Sequence, residues 1–202
     1  MDLRANVQGM GTIADVSAYL TNLDPGRRWA ELASLSKGCQ RTLYLKAEAS
    51  EPLSLDWFVS DDVPPHTGVR YRGKNSLPLF RDFEKPMART ADGRVYGYNE
   101  GVLRKVLGPG YFVLRETRGD EVSRGAVVVD YFQVPDLAPD AVAPGFPPVK
   151  PNWRGLQVLV YHKTRDYLRL VAPGVVIGSA WKTMFGTERS LDSYFLLMRQ
   201  GD

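Results

Sequence analysis

The chain contains one cysteine, Cys39, and two histidines, His66 and His162, in 202 residues. One cysteine excludes an intramolecular disulfide, and two distant histidines without closely spaced partners exclude the common zinc patterns. No stretch approaches the ~20 apolar residues needed to span a bilayer. The first residues, MDLRANVQGMGT, have no apolar run behind a positive segment, so no secretory leader is expected. An excess of one charge is missing as well. The 26 basic and 23 acidic side chains leave a formal charge of +3, and the basic residues are scattered among acidic ones. A nucleic-acid binder concentrates them on one face or element. These absences imply a cytoplasmic protein with no nucleic-acid partner and no integral membrane association. A homodimer is compatible with the sequence.

What is present is an ordinary core-forming composition, 44% hydrophobic and 24% charged, read as a single domain over residues 1–202. The first fifty residues have helical spacing. Ile13, Val16, Tyr19, Leu20 and Leu23 form a stripe, with Thr12 and Asp15 placed as a capping pair. Asp24-Pro25 reads as a second helix start, with Trp29 and Leu32 facing the core and Gly38 as the stop. A third helix is expected from about Cys39 to Ala49.

Beyond Pro52 the pattern changes to short β-rich runs separated by turns. The expected strands are Leu55–Val59, Val69–Arg72, Arg94–Tyr98, Tyr111–Glu116, Ala126–Val134, Leu156–His162, Tyr167–Val171, Val175–Trp181 and Tyr194–Arg199. The fold class is therefore mainly β with N-terminal helices, an antiparallel β-barrel of lipocalin-like type with eight or nine strands. Residues 1–50 would pack on a barrel of residues 51–202. A two-sheet sandwich is the alternative. The proline-rich stretch Pro135–Pro151 reads as a stiff strap packed through Phe146, or else as a segment offered to a partner. VRYRGKNSLPLFRDFEK mixes Arg70, Arg72, Lys74, Arg81 and Lys85 with aromatics. It is read as a barrel entrance with Leu77, Phe80 and Phe83 packed inward.

Two stretches supply candidate site residues. A short turn in LQVLVYHKTRDYLRLV would place His162 opposite Tyr167, so His162, Tyr167 and Arg169 share a face with Val158, Val160 and Val171. Turned inward, that face would form the polar end of an amphipathic site, with Arg169 suited to a carboxylate or phosphate. In GAVVVDYFQVP, Asp130 interrupts an apolar run and shares parity with Val128 and Phe132, while Tyr131 lies on the other face. A buried carboxylate needs a cation or donors, and without them its pKa rises into the range useful for acid–base work. Asp130 is thus a structural ion pair or an acid–base group.

Gly9 and Gly11 lack the preceding strand and third glycine of a dinucleotide fingerprint, and GPGYF lacks the lysine of a phosphate loop. Asp61, Asp62 and His66 read as a solvated loop. No cofactor and no metal are expected.

YHKTRDYLRLV, followed later by SYFLLMR, resembles the C-terminal part of the plastid-lipid-associated (fibrillin) proteins. The likeness is carried by Tyr161, Leu168, Arg169, Leu170, Phe195, Leu196, Leu197 and Arg199. It departs from that pattern around Asp166, in the longer segment Lys182–Asp192 and in the N-terminal helices. The resemblance implies a lipocalin-like barrel and a hydrophobic ligand.

The leading expectation is binding of a small hydrophobic or amphipathic molecule within the barrel, with Arg169, Tyr167, Tyr131, His162 and Phe132 as ligand-binding residues. The alternative is a small barrel enzyme, an isomerase, cyclase or lyase, with Asp130 and His162 as catalytic pair. An interaction module using the strap is a third class.

Overall fold

Each N-terminal helix starts where a short polar side chain can satisfy an orphan backbone N–H. In the computed structural model, which describes residues 2–78, 81–138 and 141–201, Asp2, Thr12, Asp24 and Ser36 cap α1 (Leu3–Gln8), α2 (Ile13–Thr21), α3 (Pro25–Ser34) and α4 (Lys37–Lys46). The expected Thr12–Asp15 capping box is formed. Gly38 does not stop a helix. It sits in the first turn of α4, because Ser36 caps the next helix before the glycine is reached.

The eight strands are β1 (Val69–Asn75), β2 (Asp82–Arg89), β3 (Val95–Gly97), β4 (Phe112–Glu116), β5 (Val127–Asp130), β6 (Thr164–Ala172), β7 (Val175–Met184) and β8 (Thr187–Arg199). Each pairs antiparallel with the next, and β8 returns to β1, closing the barrel. Closure removes the sheet edges and excludes the sandwich. The helices cover the outside of β6 to β8, where Leu20, Leu32, Leu43 and Tyr44 pack on Val171, Val175, Ile177, Leu196 and Met198.

Four strand expectations are corrected. Leu55–Val59 is instead the single helical turn α5 (Leu55–Phe58). Its Phe58 and Val59 are fully buried, and the Tyr71 hydroxyl donates to the Phe58 carbonyl at 2.7 Å. With Leu53 it plugs one end of the barrel interior. A short stretch such as LDWFV fits one helical turn as well as a strand, and only the space to be filled chose between them. Leu156–His162 contains the short helix α7 (Gln157–Val160) and a turn. The buried Gln157 side chain accepts from Gly110 N at 2.8 Å and donates to the Pro151 carbonyl, pinning this turn. Tyr167 consequently lies opposite Val128 on β5 and Ser179 on β7, not opposite His162. Strand β5 stops at Asp130, short of the expected Val134. Strand β2 was not among the expected strands; Pro86 within it lacks an N–H for the ladder, yet its carbonyl still accepts from Tyr98 N.

The proline-rich segment packs through Phe146 against Tyr96 and Tyr98, with ring centroids 5.9 and 4.9 Å away, and the Tyr111 hydroxyl donates to the Pro147 carbonyl. It is a strap laid on the barrel wall.

Candidate functional site

The interior of the barrel is built from cross-strand pairs of a glycine and an aromatic ring. Gly73 lies opposite Phe83, Gly97 opposite Phe112, and Gly178 opposite Phe195. A Cβ at any of these glycines would come within 2.8 Å of the facing ring, so the missing side chain is what lets each ring lie across the interior. Three of these rings, with Tyr131, surround one inward-facing cation. Lys85 Nζ sits 4.9 Å from the Phe112 centroid, 5.2 Å from those of Tyr131 and Phe195, and 5.6 Å from that of Phe83.

Lys85 is also the hub of a polar cluster. Its Nζ donates to Asn99 Oδ1 at 2.7 Å and to the Tyr131 hydroxyl at 2.6 Å, and lies 3.6 Å from Asp166 Oδ2. The Tyr131 hydroxyl donates to Asp166 Oδ2 at 3.2 Å, and Asn99 Nδ2 donates to the Gly110 carbonyl at 2.9 Å. Tyr131 is held in place by a stacked Tyr161 ring at 5.3 Å and an edge contact with Phe112. Burial pulls the Lys85 ammonium down to about 8, with Asp166 opposing the shift, and pushes the Asp166 carboxyl and the Tyr131 phenol up. Burial thus displaces both members of the ion pair toward their neutral forms.

This cluster forms the base of a cavity of about 500 Å³ that opens at the end of the barrel opposite the α5 plug. Phe83, Phe195, Leu103, Leu107, Val160 and Tyr161 make up most of its apolar wall, and Asp82, Glu100 and Arg104 also line it. The mouth is framed by the β1–β2 loop, the short helices α6 (Arg104–Leu107) and α7, and the β7–β8 hairpin. Between Ala180 and Trp181 the β7–β8 register shifts, and Leu191 from the extra residues of β8 reaches the mouth. Of the entrance residues expected from the sequence, Leu77 and Phe83 line the cavity, and Phe80 lies outside the described residues.

The chain matches no protein-family model, no curated protein and no solved structure. The site therefore rests on its own geometry.

Among the residues singled out from sequence, Tyr131 is at the base of this cavity. The others lie elsewhere. Asp130 has the opposite parity and faces outward, directly across from Arg165 on β6. Its carboxylate accepts from Arg115 Nε at 3.0 Å, Arg165 Nε at 3.2 Å and Phe132 N at 3.0 Å. It is the buried centre of an arginine network, not a partner of Arg169 or His162. Arg169 is on the outer wall, where its guanidinium lies 4.3 Å over the Tyr44 ring and donates to the carbonyls of Tyr44 and Ser123. It anchors α4 to the barrel. Tyr167, also outward, donates to Glu188 at 2.8 Å and accepts from Arg124. Phe132 is partly exposed beneath the Arg165 guanidinium. His162 is half-buried in the turn between α7 and β6, so the pair it was expected to form with Asp130 is not assembled.

Sequence reading missed Lys85, Asn99 and Asp166. Lys85 stood only as one basic residue of the stretch read as a barrel entrance, and Asp166 only as the place where the fibrillin-like pattern departs. The available signal was DFEKP, in which Phe83 and Lys85 alternate onto one face, but the proline masked the strand.

Proposed function

We propose that the protein binds a small, mainly apolar molecule inside the barrel, with a neutral hydrogen-bonding head at the base of the cavity. The observation that carries this reading is the apolar-walled cavity of about 500 Å³ narrowing onto Lys85, Tyr131, Asn99 and Asp166. That volume falls in the range of ~300–1,000 Å³ of small-molecule sites, which combine apolar walls with a few convergent polar groups. Lys85 and Asp166 offset each other, so a carboxylate head would meet Asp166 at the same depth as Lys85. A carbonyl or hydroxyl can take a bond from Lys85 or Tyr131 without that repulsion. Head recognition thus passes from Arg169, the expected anchor, to these residues. Val102, Val106, Leu159 and Phe185 are exposed on the connections at the same end, so an apolar molecule meets apolar surface at the entrance. The C-terminal resemblance to plastid-lipid-associated, lipocalin-like proteins points the same way.

The test is displacement of the neutral fluorescent probe N-phenyl-1-naphthylamine. We expect 1-decanol to displace it at least about tenfold better than decanoate, a difference of ~1.4 kcal/mol. Ala180→Trp, on β7 directly across from Asp166, puts a ring into the cavity and should abolish binding. Absence of probe binding, or equal competition by the carboxylate, ends this reading.

The reading as a small isomerase, cyclase or lyase is favoured by one observation, three titratable groups within reach of one another at the cavity base. Its acid–base groups would be Lys85, Tyr131 and Asp166 in place of Asp130 and His162. Measured proton exchange on a bound ketone would support it.

A further inference from the structure

Of the eight lysines of the chain, all within the described residues, Lys85 alone lines the cavity. A lysine that attacks a carbonyl needs a cavity that brings the carbonyl to it, a nearby base to take its proton, an acid to protonate the departing oxygen, and surroundings that keep out the water that would hydrolyse the product. The base of the barrel supplies each of these. Apolar walls end at Nζ, Asp166 lies 3.6 Å away, and the Tyr131 hydroxyl at 2.6 Å is itself bonded to Asp166. The rings of Phe83, Phe112 and Phe195 close around the amine.

We propose that Lys85 captures apolar aldehydes entering the barrel as a reversible imine, with Tyr131 and Asp166 relaying the protons. The ammonium gives its proton to Asp166. The nitrogen lone pair then adds to the carbonyl carbon, and the oxygen takes a proton from Asp166 through the Tyr131 hydroxyl, forming a carbinolamine. Nitrogen gives its second proton to Asp166, which returns one through the Tyr131 hydroxyl to the carbinolamine oxygen; the C–O bond breaks, water leaves, and the nitrogen lone pair closes the C=N bond as a protonated imine beside ionised Asp166. Aldehyde and amine become imine and water with no change of oxidation state. The lowered proton affinity of Lys85, caused by its burial, raises the share of free amine near neutral pH.

This inference rests on the proposed binding reading, so the experiment separates the two. The full chain is incubated with decanal and sodium cyanoborohydride, which reduces an imine to a stable secondary amine. Intact mass and peptide mapping then count and locate the adducts. We expect one adduct per chain, on Lys85, formed at least about tenfold faster than on any surface lysine. Lys85→Arg should remove the adduct and Tyr131→Phe should slow it, and mapping of the wild-type chain locates the site even if a variant fails to fold. Adducts spread evenly over surface lysines, while 1-decanol still displaces the probe, would overturn the imine and leave the carrier reading standing. If decanol does not bind either, both fall.

Discussion

At the scale of single residues, Lys85 and Asp166 present the largest electrostatic risk in the molecule. Both side chains are nearly inaccessible, 2% and 8% exposed, and each is compensated chiefly by the other. Removing one partner of such a pair typically costs ~3–5 kcal/mol, whereas replacing both by apolar groups is often neutral or better. Lys85→Met should therefore destabilise the fold by about 3 kcal/mol at pH 7. In that variant Asp166 has no counter-charge, so burial holds its folded-state pKa above the unfolded value. An acid shifted in that direction costs nothing below its unfolded pKa and progressively more as pH rises through the folded one. The deficit should accordingly be small near pH 4 and grow toward pH 7 in urea unfolding, and Lys85→Met with Asp166→Leu should recover most of it. A deficit independent of pH would contradict the pairing. None of this was legible locally, since a lysine beside a proline and an aspartate beside an expected turn carry no mark of burial.

The elements show why parity was readable while direction was not. Alternation in GAVVVDYFQVP correctly separates Asp130 from Tyr131. Which of the two looks inward is set by the neighbours of β5, with Arg115 on β4 and Arg165 on β6 bracketing the Asp130 carboxylate on the outer face. Glu121 completes the network, its carboxyl pulled down to about 2 chiefly by the bonds from Arg115. Asp130→Ala leaves two partly exposed guanidiniums short of a partner and three strands without their tie. We expect a loss of about 2–4 kcal/mol in chemical denaturation, with binding of N-phenyl-1-naphthylamine to the folded variant unchanged. A loss of binding at unchanged stability would return Asp130 to the site. The caps at Thr12 and Asp24 were legible where strand direction was not, because each acts on an N–H group three residues away and needs no tertiary partner.

For the whole molecule, the barrel closes in chain order, and its two ends are treated differently. One is stoppered by α5 and the other opens on the cavity. The N-terminal helices take no part in lining that cavity, yet they cover the outer faces of β6 to β8, where Val175, Ile177 and Leu196 are fully buried. A chain lacking residues 1–50 should expose this apolar wall, bind anilinonaphthalene sulfonate and aggregate. A soluble, cooperatively unfolding fragment would show the helices to be dispensable. By itself the sequence determined the starts of α2 and α3, the switch from helical to β spacing, most of the strands, the strap on its wall and the parity within each strand, all consequences of interactions a few residues long. Only the tertiary structure decided that α5 and α7 are helical, that Pro86 sits in a strand, and that Lys85, Asn99, Tyr131 and Asp166 meet at one point. Those outcomes depend on which face of each strand the closed barrel turns inward and on glycines that yield space to rings on the next strand. Both are properties of closure, and no short stretch of chain encodes them.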